Sequence, residues 1–85
     1  MKLPVIRHAN QFIEENSLEK VQHAIQVLEH MSEHRSVKEE EMDFFGEILS
    51  NLYAAMEVNK MTKEGQSEKD ALNAFMQRVL GAIDQ

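Results

Sequence analysis

Residues 36–65, SVKEEEMDFFGEILSNLYAAMEVNKMTKEG, decide the fold. No helix breaker stops them between Ser36 and Gly65, so they read as one helix of roughly 28 residues spanning about 42 Å. At about 100° per residue, Phe45, Ile48, Leu49, Leu52, Ala55 and Met56 form one stripe. Phe44, Met42 and Tyr53 widen that stripe to roughly half the circumference, which requires neighbours on two sides. Val58 and Met61 fall off the main stripe. Asn59 lies in line with it and reads as the solvated end of the core, the alternative being a polar residue that fixes register or partner. Gly46 offers a place to bend. Because apolar residues continue past Met56 as Val58 and Met61 off the main stripe, the favoured outcome is instead that part of the helix projects beyond its neighbours to meet another chain.

Outward from this segment the chain divides into three shorter helices. The first runs from about Pro4 to Glu15, with Val5, Ile6, Ala9, Phe12 and Ile13 on one face. The second runs from about Ser17 to His34 and carries Leu18, Val21, Ile25 and Leu28 at alternating steps of three and four. The fourth opens after Ser67 and presents Leu72, Phe75, Met76, Val79, Leu80 and Ile83 on a broad apolar face. Asn16 with Glu19, Ser36 with Glu39 and Ser67 with Asp70 each pair a short oxygen acceptor with an acid three residues on, the pattern of a capped helix start. Pro4 suits the remaining start, and Gly65 reads as a helix end. The expected fold is all-α: a single domain over residues 1–85, a small four-helix bundle-like arrangement with a long third helix.

Composition narrows the function. A chain of 85 residues supports one modest core, which raises the value of pairing with a second copy. A net charge of −6 disfavours a grip on phosphate backbones, so no nucleic acid partner is expected. With no cysteine there is no thiol nucleophile, and a reducing compartment suits the chain. No signal-like or membrane-spanning apolar run is present, so no membrane partner is expected and the location is read as cytoplasmic.

The histidines are the one cluster that suggests chemistry. His30 and His34 frame HMSEH, the H-x-x-E-H spacing in which two imidazoles hold zinc and a glutamate activates water. Both sit in the last turn of the second helix, where histidine and Arg35 also suit the dipole and terminal carbonyls. They are weak metal candidates only. His23, Val27, His30 and His34 fall on one arc opposite the apolar face and are expected to point outward; His8 is expected to be partly buried. No glutamate has a histidine three residues on, as a di-iron bundle needs, and no glycine-rich loop cradles a phosphate. The serines at 17, 36 and 67 are taken as caps. No catalytic constellation and no cofactor site are expected, and the chain is read as not an enzyme.

The stretches MKLPVIRH at 1–8, GEILSNLYAAMEVNKM at 46–61 and GQSEKDALNAFMQRVLGAID at 65–84 resemble a short bacterial all-helical family defined only as a domain of unknown function. That resemblance covers nearly the whole chain and brings no functional residues. It implies relatives encoded near thioredoxin and peroxiredoxin genes, and hence, without cysteine, an accessory to redox chemistry at most. The leading expectation is a small helical interaction protein that self-associates as a homodimer or meets another protein partner. Its interface candidates are Phe44, Phe45, Leu52, Tyr53, Met56 and Asn59 on the long helix and Val27 on the second. The alternative is a ligand or metal-binding module in the pocket between the third and fourth helices, with Tyr53 and Asn59 as polar groups, or at His30 and His34.

Overall fold

The computed structural model describes residues 2–83, with side chains from Lys2 to Val79. Four helices occupy them: α1 (Leu3–Glu15), α2 (Leu18–Ser32), α3 (Glu39–Lys63) and α4 (Glu68–Ile83). The chain is all-α, as expected. Among the described residues no helix is long and apolar enough to cross a membrane.

The helix ends follow capping chemistry, though not always from the expected residue. Ser67 opens α4, its hydroxyl accepting the Asp70 N–H at 3.1 Å. Asn16 instead closes α1, sending its backbone N–H and its amide Nδ2 to the Phe12 carbonyl at 2.9 and 3.2 Å. Ser17, already extended, caps α2 through Lys20 N–H. The two-residue junction leaves one residue for each job. Before α3, Ser36 is not the cap: its N–H donates to His34 Nδ1 at 3.1 Å, and the helix starts three residues later. There the Glu41 carboxylate accepts the Lys38 N–H at 2.9 Å, so an acid inside the first turn replaces the hydroxyl before it. α2 ends at Ser32 rather than His34, with the Ser32 hydroxyl bonded to the Glu29 carbonyl at 2.8 Å. α3 ends in a Schellman turn: Gln66 N–H reaches the Met61 carbonyl, Gly65 N–H reaches that of Thr62, and Gly65 takes φ +111°.

α3 runs unbroken through Gly46 and is the hub of the packing. α1 lies parallel to it, with Lys2 N–H on Asn51 Oδ1 and Asn59 Nδ2 on Asn10 Oδ1, both at 3.0 Å and both linking residues 49 apart in sequence. α2 and α4 run back along it, α2 through Tyr53 and Glu29, α4 through the Glu57–Arg78 ion pair at 3.2 Å. Arg7 and Asn10 of α1 both bind Glu68 at the start of α4. The result is a slab of 43 × 35 × 17 Å, about two helix layers thick. Its radius of gyration, 13.8 Å, exceeds the roughly 12 Å of a compact chain this long.

The core is Ile6, Ile13, Val21, Ile25, Ala54, Ala55, Val58, Ala71, Leu72 and Phe75. Leu18 and Leu28 of α2 are half-buried beside Val21 and Ile25, as the spacing predicts. In α1 the inner line is Ile6, Asn10 and Ile13, while Val5 and Phe12 are exposed; His8 is exposed rather than partly buried. The expected stripe on α3 is displaced by about a quarter turn. Its buried residues are Asn51, Ala54, Ala55, Val58 and Asn59, so Val58 sits at the centre and Asn59 is an interior residue, not a solvated end. The reason is size: the alanines let α1 and α4 approach closely, and the bulkier Leu49, Leu52 and Met56 pack half-buried at the flank. The expected core side chains Leu80 and Ile83 lie outside the described side chains.

Candidate interaction surface

α3 outruns its neighbours. Its 25 residues span about 37 Å, whereas α1, α2 and α4, of 13, 15 and 16 residues, span about 20–24 Å each. The pairings of Lys2 with Asn51, Glu29 with Tyr53 and Arg78 with Glu57 all fall on the carboxy-terminal part of α3. Residues 39–50 contain no buried residue, and Asn51 is the first. This half carries Met42, Phe44, Phe45 and Ile48, with Leu49 packed against the core.

One line on α3 connects its two halves. Phe44, Ile48, Asn51, Ala55 and Val58 follow each other at steps of four, three, four and three, the spacing of a helix-packing seam. Asn51, Ala55 and Val58 are 6%, 0% and 0% exposed beneath α1. Phe44, on the same line, is 58% exposed. The core face therefore continues outward to Phe44, past the start of α1.

The other interface candidates divide. Phe45 is half-buried on the projection; Leu52 and Met56 are half-buried against the core. Tyr53 is exposed, and its hydroxyl donates to Glu29 Oε2 at 2.8 Å. That hydrogen bond, with burial and the Glu29 charge, raises the Tyr53 pKa above its ordinary value of 10.0. Asn59 is 1% exposed and donates to both Asn10 Oδ1 and Glu14 Oε1, so it holds α1 in place and is removed from any outer surface. Asn10, the link between Asn59 and Glu68, is marked in the sequence only by its place between Ile6 and Ile13 at steps of four and three.

Val27 is exposed at 58%, and His23, His30 and His34 are exposed with it on α2, as the helical arc predicts. The His30–His34 pair is poorly set to bind metal. His34 Nδ1 already accepts the Ser36 N–H, which in the neutral ring leaves the proton on Nε2 and no outward lone pair. Among the described residues no group of three His, Cys, Asp or Glu could hold a metal ion. The recess between α3 and α4 is lined by Ser50, Tyr53, Ala54, Glu57, Phe75, Arg78 and Val79; Asn59 is not part of it. Arg78 closes one side, paired with Glu57 and lying 5.8 Å over the Phe75 ring.

These features define a small all-α domain built around one over-long helix, with an uncovered apolar line at its projecting end. The chain belongs to a family of unknown function, DUF6952, whose model matches residues 1–84. No curated protein and no solved structure matches it.

Proposed function

We propose that this protein is a small helical interaction protein, with no catalytic role of its own, that self-associates through the projecting half of α3. The observation that carries the reading is the position of Phe44: it lies on the seam that α1 buries at Asn51, Ala55 and Val58, and it is 58% exposed. An aromatic side chain left in water on an otherwise continuous core line is an unused packing surface. The half-buried Ile48 lies beside it on the seam, and the half-buried Phe45 flanks Ile48. The net charge of −6 supports a protein partner over nucleic acid. A cytoplasmic location, bacterial relatives and an accessory role beside thioredoxin-type chemistry belong to the same reading.

The test compares two equally exposed apolar residues, each 58% accessible: Phe44 on the seam and Val27 on the histidine arc of α2. Absolute mass by light scattering is measured for the wild type, Phe44→Glu and Val27→Glu. The reading expects an associated wild type and Val27→Glu, with Phe44→Glu reduced to single chains. Loss of association in Val27→Glu alone would move the interface to α2 and overturn the choice of α3.

A further inference from the structure

We propose that the turn between α2 and α3 is a pH-sensitive latch, closed by the neutral His34 ring and released when that ring takes up a proton. The turn spans His34–Val37, where the Val37 N–H donates to the His34 carbonyl at 3.0 Å. Inside it the Ser36 N–H donates to His34 Nδ1 at 3.1 Å. His34 thus stands at the first position of a β-turn, with its side chain accepting the N–H two residues on. Asn, Asp and Ser ordinarily take that role, through side-chain oxygens. Histidine differs from them in that its acceptor is a lone pair, which a proton occupies as pH falls between about 8 and 5.

The two states exclude each other. The bond from Ser36 needs an unprotonated Nδ1, with the ring proton on Nε2. A proton from solvent makes both ring nitrogens donors, so that N–H faces N–H and the bond is lost. The His34 side chain is exposed, so solvent reaches it directly. Three links of the connector converge on this residue, because its own N–H also reaches the Met31 carbonyl at 3.2 Å. The Lys38 N–H, further along, is held by the Glu41 carboxylate at 2.9 Å. The ring and that carboxylate are the two side-chain acceptors on the chain as it enters α3. The connector leads straight into the half of α3 that carries Phe44, so the latch sets how firmly that half is tied to the end of α2. It does not depend on self-association.

The charges around the ring favour its release once it is protonated. From α2, His30, Met31 and Glu33 line the recess that holds His34, with Val37 completing it; among the described residues none from α1, α3 or α4 is part of it. The connector adds Arg35 and Lys38, and α3 opens on Glu39, Glu40 and Glu41. Glu33 and the carbonyl end of α2 attract an imidazolium, whereas Arg35, inside the turn, repels it. A protonated ring therefore has a favourable alternative on the α2 side and none at Ser36. His30, one helical turn back, is of the same titrating type, so a test has to separate the two rings.

Heteronuclear NMR follows the His34 ring nitrogens and the Ser36 amide in the same samples from about pH 8 to about pH 5. The proteins compared are the wild type, His34→Asn and His30→Gln. At the upper end His34 is expected to show a bare Nδ1 and a protonated Nε2. As pH falls, the Ser36 amide proton should move upfield with the same midpoint as the ring, and its protection from exchange with water should drop by up to about tenfold. His30→Gln should keep that transition. His34→Asn places a non-titrating acceptor at the same point of the turn, so its Ser36 amide should hold its position across the range. A wild-type Ser36 amide that ignores the titration of the ring would overturn the latch. So would a transition that survives in His34→Asn, which assigns it to the neighbouring acids, or one that vanishes in His30→Gln, which assigns it to His30.

Discussion

Asn59 of α3 donates from Nδ2 to Asn10 Oδ1 of α1 at 3.0 Å inside the core, and Asn10 Nδ2 in turn donates to Glu68 of α4 at 2.9 Å. Three helices are thus keyed by one buried amide pair. The same amide of Asn59 also reaches Glu14 Oε1 at 2.8 Å, so removing it leaves acceptors unmatched on α1. Asn59→Leu is expected to cost about 1–3 kcal/mol. The double variant Asn10→Leu with Asn59→Leu should cost less than the sum of the singles, because no buried amide remains without its partner. Urea unfolding at one fixed chain concentration measures both; strict additivity would show that the pair is not coupled.

Two glycines should respond with opposite sign. Gly65 holds φ +111° in the turn that ends α3, so Gly65→Ala is expected to lose about 1–2 kcal/mol. Gly46 lies inside α3 with open space around an added Cβ, so Gly46→Ala is expected to gain up to about 1 kcal/mol. Gly46 faces away from Phe44 and Ile48 by about half a turn, and the alanine should leave the associated mass unchanged. Thermal unfolding and light scattering on the same samples check both statements.

The serines separate a real cap from an apparent one. Ser67→Ala removes the acceptor for Asp70 N–H and should cost about 1 kcal/mol. Ser36→Ala removes a hydroxyl that does not cap α3, and should stay within about 0.5 kcal/mol of the wild type. Matching losses in the two variants would mean that α3 starts at Ser36 after all.

Tyr53 is the only tyrosine, so its titration can be read directly by ultraviolet absorbance. The hydrogen bond to Glu29 stabilises the protonated phenol and raises its pKa above 10.0. A folded value above the unfolded one means that the contact contributes below the unfolded pKa and is lost as pH rises through the folded pKa. Glu29→Gln should lower the titration midpoint towards 10. An unchanged midpoint would show that the contact does not form in solution.

Much of the architecture was legible because it depends on local signals. Pro4, Ser67 and Gly65 mark helix ends through backbone chemistry that neighbours do not alter. The sequence places the start of α3 too early because Glu41 supplies the acceptor expected from Ser36. The sequence places the inner face of α3 a quarter turn away because hydrophobicity gives most weight to Phe, Leu, Ile and Met, whereas Ala54 and Val58 join Ala55 at the buried centre. Asn59 lies on the expected stripe, but its interior role is not legible there because its partners Asn10 and Glu14 come beside it only through packing. The mismatch of helix lengths is visible in the sequence, but Val58 and Met61, the residues that point to a projecting end there, lie in the core and against it. Phe44 is a candidate in the sequence because it widens the expected stripe, and only the packed structure shows that it shares a line with the buried Asn51, Ala55 and Val58.

The most direct measurement is the absolute mass of the wild-type chain across a concentration series. The account predicts a mass of twice the 9.8 kDa chain at high concentration, falling towards one chain on dilution. A mass of 9.8 kDa held into the hundreds of micromolar range, where even a weak dimer is populated, would contradict it.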